Sequence, residues 1–293
     1  MRLSAYILAA DPAWIEASVL SYYDMVNKII VSYDENSRSW TGTPIPVEEC
    51  LSRLRAIDRD NKMVYSPGHY ARLDHLPMEN DTHQRQCALD EAGEDADWVL
   101  QLDTDEVLPD SEIFQRMIDV CESSGHTALE WPMRVLFRRT FSGRYLEVCG
   151  PDGNPRYEYP GPAAIRARGR LRDARRCIGP FARAVFPGDV ASLQIACPLE
   201  AGETRLPIPT GAQAILHNSW ARDPRSIARK VGAWSHAAGW RSRAYYYLIW
   251  LPAPATWRAL RDFHPFARGL WPRLRQVPAE DARISRILET ALL

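Results

Sequence analysis

Three Asp-x-Asp pairs stand in the sequence: Asp58 with Asp60, Asp95 with Asp97, and Asp103 with Asp105. Their surroundings separate them. The first sits at a polar helix end and the second in a charged turn, where acids are ordinary solvated surface. Only Asp103 and Asp105 follow an apolar, strand-like run directly, Trp98-Val99-Leu100-Gln101-Leu102. Two carboxylates about 4 Å apart repel by roughly 4 kcal/mol at an effective dielectric near 20, so a cation or hydrogen-bond donors must offset them. A hard divalent ion with oxygen ligands is the expected cause. Pairing of the two acids with internal arginines would contradict that expectation.

The first 130 residues alternate strand-like and helix-like segments, the pattern of a parallel sheet covered by helices. Leu3 to Ala9 reads as a buried strand, with Asp11-Pro12 opening a helix through Ile15, Val19 and Leu20. A second strand runs from Lys28 to Tyr33 and ends on Asp34. The spacing of Leu51, Leu54 and Ile57 predicts a helix from about Val47 to Arg59, followed by a strand at Lys62 to Tyr65. Asp81-Thr82-His83-Gln84 has the form of a helix start leading through Ala92. The strand at 98 to 102 then delivers the acid pair at its carboxyl end, where open α/β sheets bind ligands. A helix from Ser111 to Glu122 and a strand from Thr127 to Trp131 follow. Residues 140 to 180, rich in Gly, Pro and Arg, read as long loops. Strands resume at Phe181 to Phe186 and Ala212 to His217, and Asp223-Pro224 opens a last set of helices.

On these residues the chain resembles the nucleotide-sugar glycosyltransferases of the A-type fold, especially the broad family 2, well over residues 1 to 110 and loosely beyond. The resemblance implies an α/β fold: a Rossmann-like, mostly parallel sheet with helices on both faces, plus a C-terminal helical extension. It divides the chain into a donor-binding half (1–130), acceptor-side loops and strands ending in a metal-ligand strand (131–222), and a basic aromatic extension (223–293). In that family the second Asp of the pair ligates Mn²⁺ or Mg²⁺ on the donor diphosphate and the first contacts the ribose or a metal-bound water. Here these are Asp105 and Asp103. The run Ile29-Ile30-Val31-Ser32-Tyr33-Asp34 is similar to the strand carrying the nucleoside-binding Asp, which maps to Asp34. The segment from Gln84 to Leu89 resembles the family's Arg-bearing helix and makes Arg85 a donor-site residue. Asp11 is counted with the donor-binding residues. Ala214-Ile215-Leu216-His217 is placed as the late strand whose His completes the metal site, and Lys230 falls where it can meet the diphosphate.

The implied chemistry is transfer of a sugar from a UDP- or GDP-linked donor to a glycan or lipid-linked acceptor. Breaking the anomeric bond leaves a nucleoside diphosphate whose growing charge the metal and Arg85 would offset. An inverting enzyme also needs a carboxylate base. The family's usual Glu-Asp pair is missing from the second half, which leaves Glu130, Glu147, Asp152 and Asp189 as candidates and keeps retention or inversion open. Two rival readings stand. Leu102-Asp103-Thr104-Asp105-Glu106-Val107 also fits the motif of haloacid-dehalogenase-type phosphatases, with Asp103 as nucleophile, although a hundred residues precede it and Gly188-Asp189 lacks the later acidic partner. A non-catalytic carbohydrate-binding protein is the other. Sugar nucleotidyltransferases open with a Gly-rich loop, which Ala9-Ala10-Asp11-Pro12 lacks.

Composition sets the class. With 293 residues, 46% hydrophobic and 25% charged, the chain can bury a large core. Its six scattered cysteines predict reduced, mostly buried thiols. No run of eighteen apolar residues occurs, which predicts a cytoplasmic chain that does not span a membrane. The net charge of −1 hides an asymmetry: −12 over residues 1–110, +3 over 111–220 and +8 over 221–293. Positive charge does not dominate as it does in a nucleic-acid binder. Residues 239 to 275 interleave arginine with Trp, Tyr and Phe. That composition suits either peripheral contact with the inner face of a membrane, near a lipid-linked acceptor, or a helical cap packed on the sheet or against a second copy.

Overall fold

The computed structural model describes residues 1–208, 210–233, 240–265 and 267–278. The chain runs through β1 (Leu3–Leu8), α1 (Ile15–Leu20), β2 (Lys28–Asp34), α2 (Val47–Ile57), β3 (Met63–Gly68), α3 (Pro77–Ala92), β4 (Trp98–Gln101), β5 (Glu106–Val107), α4 (Ser111–Ser123) and β6 (Ala128–Glu130). It continues through β7 (Met133–Arg139), β8 (Tyr145–Cys149), β9 (Tyr157–Glu158), β10 (Pro162–Arg166), β11 (Leu171–Asp173), β12 (Arg176–Cys177), β13 (Phe181–Val185), α5 (Leu193–Ala196) and β14 (Glu203–Pro207). Last come β15 (Ile215–His217), α6 (Pro224–Ala233), α7 (Trp240–Tyr245) with a π-helical turn at Tyr246–Trp250, α8 (Ala253–Thr256) and β16 (Arg273–Gln276).

The result is a mixed α/β fold with two main sheets. The larger has strand order β14-β13-β6-β10-β4-β1-β2-β3. Its pairings are parallel except where β10 lies antiparallel between β4 and β6. Period-two alternation assigns each strand residue to one face. Ala5 and Ile7, Ile29 and Val31, and Trp98 and Leu100 pack with Ile15 and Val19 of α1, Leu51 and Leu54 of α2, and Phe114 and Ile118 of α4. Tyr6, Ile30 and Val99 face the other way, onto Ala88, Leu89 and Ala92 of α3. Covered on both faces, these strands are largely apolar, as buried parallel strands are.

Trp131, fully buried, meets Phe114 edge-to-face at 5.0 Å and donates from Nε1 to the Gln213 carbonyl at 2.8 Å. Trp131→Ala is expected to cost about 3–5 kcal/mol, read from the urea unfolding midpoint.

The smaller sheet has the order β16-β8-β7-β15-β5, with β9 beside β7. Strands from both sides of residue 130 enter both sheets. The aromatic tail covers this second sheet: Tyr246, Trp250, Phe263 and Trp271 pack with Val135, Phe137, Leu146 and Val148. Trp250 donates from Nε1 to the Trp220 carbonyl at 3.0 Å. Most of the tail's rings therefore serve as a cap. Phe266 and residues 279–293 lie outside the described residues.

Three local expectations need correction. The first helix begins at Ile15, because Asp11 accepts from the Ala13 amide in an Asx turn and Trp14 adopts a left-handed φ of 68°. Helix α3 begins at Pro77, where the Leu76 amide donates to Glu79 Oε2 at 2.8 Å, so Asp81 lies inside the helix. Residues 140–180 are not all loops. β10 occupies the centre of the large sheet although Pro162, Ala163 and Ala164 have weak strand propensity, because pairing on both edges overrides it. Among the described residues no helix is long and apolar enough to cross a membrane. All six cysteines are free, with Cys50, Cys121 and Cys149 buried.

Candidate active site

Strands β1, β2 and β4 run parallel and end at the same edge of the sheet. Beyond their carboxyl ends opens a cleft of about 1180 Å³, solvent included. Its lining includes Tyr33, Trp40, Ile45 and Pro46 together with Asp11, Arg85, Asp103, Asp105, Arg222 and Lys230. Six residues expected at a donor site, Asp11, Asp34, Arg85, Asp103, Asp105 and Lys230, are brought together here from elements up to 219 positions apart in the sequence.

Asp103 is held by arginines. Arg85, on α3, places NH1 2.9 Å and NH2 3.2 Å from its two oxygens while donating from Nε to Asp81 at 2.7 Å. Arg175 comes within 3.8 Å of the same carboxylate and binds Glu106 with both terminal nitrogens, at 2.9 and 2.5 Å. Glu106 in turn accepts from the Asp103 amide at 3.1 Å. Burial works to raise the Asp103 pKa, but Arg85 and Arg175 outweigh it and hold the carboxyl well below the usual carboxylate range. Both oxygens of Asp103 face Arg85, while its side chain keeps 31% exposure toward the cleft.

Asp105 faces the other set. Its Oδ2 takes Arg222 NH2 and lies 3.7 Å from Lys230 Nζ, and its Oδ1 is 3.8 Å from His217 Nε2. The other arm of Arg222 reaches Asp11. Lys230 also donates to the carbonyl and hydroxyl of Ser219, both at 2.9 Å, and burial followed by the nearby Arg222 lowers its pKa to about 8. Burial, helped by Lys230 and Arg175 and opposed by Asp105, lowers the His217 pKa, so the ring is neutral at pH 7.

Four cations, Arg85, Arg175, Arg222 and Lys230, thus face five carboxylates, Asp11, Asp81, Asp103, Asp105 and Glu106. Repulsion between the paired acids is offset here by the protein's own arginines and lysine. Among the described residues no group of three or more His, Cys, Asp or Glu side chains is placed to hold a metal. Asp105 with His217 forms a pair of donors.

Asp34 lines the cleft but is already satisfied. Oδ1 accepts from the amides of Asn36 and Arg38 at 3.0 and 3.1 Å, and Oδ2 from those of Tyr70 and Ala71 at 2.9 and 3.0 Å. Four backbone bonds at a residue 3% exposed make it the anchor of two loops, the first of which lines the cleft. In the first of these, Trp40 is fixed by its Nε1 donating to Gln84 Oε1 at 2.8 Å. Asp34→Ala leaves four amides without their acceptor and is expected to cost on the order of 2–4 kcal/mol, with hydrogen exchange at 36–38 and 70–71 accelerating first.

The candidate bases lie elsewhere. Glu130 is paired with Arg183 and Glu147 with Arg134, both buried. Asp152 caps its own turn through Asn154, and Asp189 accepts from the Ser192 amide. None of the four lines the cleft. The cleft does contain residues that sequence spacing did not reveal, among them Trp40, Gln84 and Arg222. Arg175 beneath them lay within the segment read as loop.

No protein-family model and no curated protein matches the chain. Among solved structures, mannose-6-phosphate isomerase from Helicobacter pylori is similar with a TM-score of 0.30 and 9% identity, over 57% of this chain and 68% of that one. Mannose-1-phosphate geranyltransferase from Thermus thermophilus is similar with a TM-score of 0.30 and 12% identity, over 57% of this chain and 50% of that one. Superposition at that level carries no argument about activity.

Proposed function

We propose that this chain is a glycosyltransferase of the A-type fold that binds a nucleoside diphosphate sugar in the cleft. The observation that carries the reading is the cleft's lining, which combines the rings of Tyr33 and Trp40 with the cations Arg85, Arg222 and Lys230. A nucleoside diphosphate needs both: a surface on which a flat base stacks and fixed cations that pair with a diphosphate.

In this reading Trp40 and Tyr33 take the base, Asp34 positions the loop that carries Trp40, and Arg222 and Lys230 take the diphosphate. Moving those two cations onto phosphate frees Asp105. A hard cation arriving with its own phosphate oxygens and waters needs only one or two protein ligands, and Asp105 with His217 would supply them. Mn²⁺ or Mg²⁺ there would offset charge on the departing diphosphate. Asp103 holds Arg85 in place from the floor of the cleft. The rival phosphatase reading has no comparable support, since Asp103 is pinned by two arginines.

A thermal-shift screen of UDP, GDP and their sugars with and without Mn²⁺ tests this. A ligand that binds only the native state at ~100 times its Kd stabilises by about 2.7 kcal/mol. The expected result is a shift of several degrees with at least one nucleotide, larger with Mn²⁺. A shift that ignores Mn²⁺ would remove the metal from the account and leave the transferase. No shift with any nucleotide would remove both.

A further inference from the structure

The helical run after residue 240 presents two faces. Ser242, Tyr246, Trp250 and Ala253 point inward and are buried. On the outward side lie Trp240, 74% exposed, Tyr247, 64%, Leu248, 73%, and Leu251, 39%. Among the described residues these four side chains stay exposed. Arg241 and Arg243 are exposed beside them, with Arg241 5.7 Å from the Trp240 ring. From Pro224 to Arg261 the sequence carries seven Lys and Arg and not one Asp or Glu.

An anionic bilayer is the natural counterpart of such a surface. Trp and Tyr rings rest at headgroup depth, Leu side chains enter the acyl boundary, and guanidinium groups meet lipid phosphate.

We infer that the outward face of Trp240–Leu251 docks the protein on an anionic phospholipid surface. Earlier in the chain, α6 carries Ser226 and Lys230 into the cleft. If the proposed transferase activity holds, the docked cleft would open beside a lipid-borne acceptor; the docking itself does not depend on that activity.

Flotation of the whole chain, without nucleotide, on vesicles of phosphatidylcholine alone or mixed with phosphatidylglycerol tests the inference. The protein is expected to float only with phosphatidylglycerol, and less as salt is raised. The double variant Tyr247→Ser, Leu248→Ser is expected to lower the floated fraction about tenfold. Phe141→Ser, at an exposed ring far along the sequence, should leave it unchanged. Unchanged thermal midpoints of the variants show that folding is intact. Wild-type protein that stays at the bottom with phosphatidylglycerol overturns the inference. So does a double variant that floats normally, or a concentration-dependent dimer that the double variant breaks while flotation is absent.

Discussion

Arg175→Met is expected to lower the thermal unfolding midpoint by roughly 10 °C, the largest stability effect of any single change at the site. Arg175 and Glu106 are 4% and 1% exposed in their side chains and joined by two bonds. Removing one partner of a buried pair strands the other charge, at a cost of about 3–5 kcal/mol, and a domain of this size loses about 2–4 °C per kcal/mol. Arg175 also holds the Gln101 carbonyl at 3.1 Å and approaches Asp103. Its loss therefore loosens the end of β4 as well as Glu106. The double variant Arg175→Met, Glu106→Leu should recover much of the midpoint, since no buried charge is then stranded. Differential scanning calorimetry of both variants checks the pair.

Asp105→Ala is expected to behave in the opposite way, with a modest change in stability and a large one in activity. After truncation Arg222 keeps Asp11 and Lys230 keeps Ser219, while the Asp105 carbonyl still accepts from the Asn218 amide at 2.8 Å. The fold therefore retains its partners. Under the proposed function the variant loses the carboxylate that meets the cation, and kcat/KM for the sugar nucleotide should fall on the order of 10²–10³-fold. The Mn²⁺-dependent part of the thermal shift should vanish. Full activity in this variant would assign Asp105 a structural role only.

The course of the chain as far as β6 was largely legible in its residues, because both faces of β1, β2 and β4 are buried and their continuous apolar runs leave little ambiguity. The place of Asp103 at the sheet edge followed from that reading, whereas Asp11, Arg85 and Lys230 were expected beside it only from the family resemblance. What was hidden depended on tertiary contacts. β10 is built from small residues with no period of its own. Arg175 and Arg222 carry no spacing signal, since each reaches its carboxylate from a distant segment, 69 positions from Glu106 and 117 from Asp105. Charge neutralisation by arginine and by a metal look alike until those segments are placed. The bases were sought by residue type alone, and Glu130 and Glu147 proved to be charge partners in the two sheets.

A crystal structure of the protein with UDP or GDP and Mn²⁺ tests the central claim most directly. The account predicts the diphosphate within hydrogen-bond reach of Arg222 and Lys230, the base against Trp40, and Arg222 drawn off Asp105. A nucleotide-saturated crystal in which the cleft is empty and Asp105 keeps Arg222 and Lys230 would contradict it.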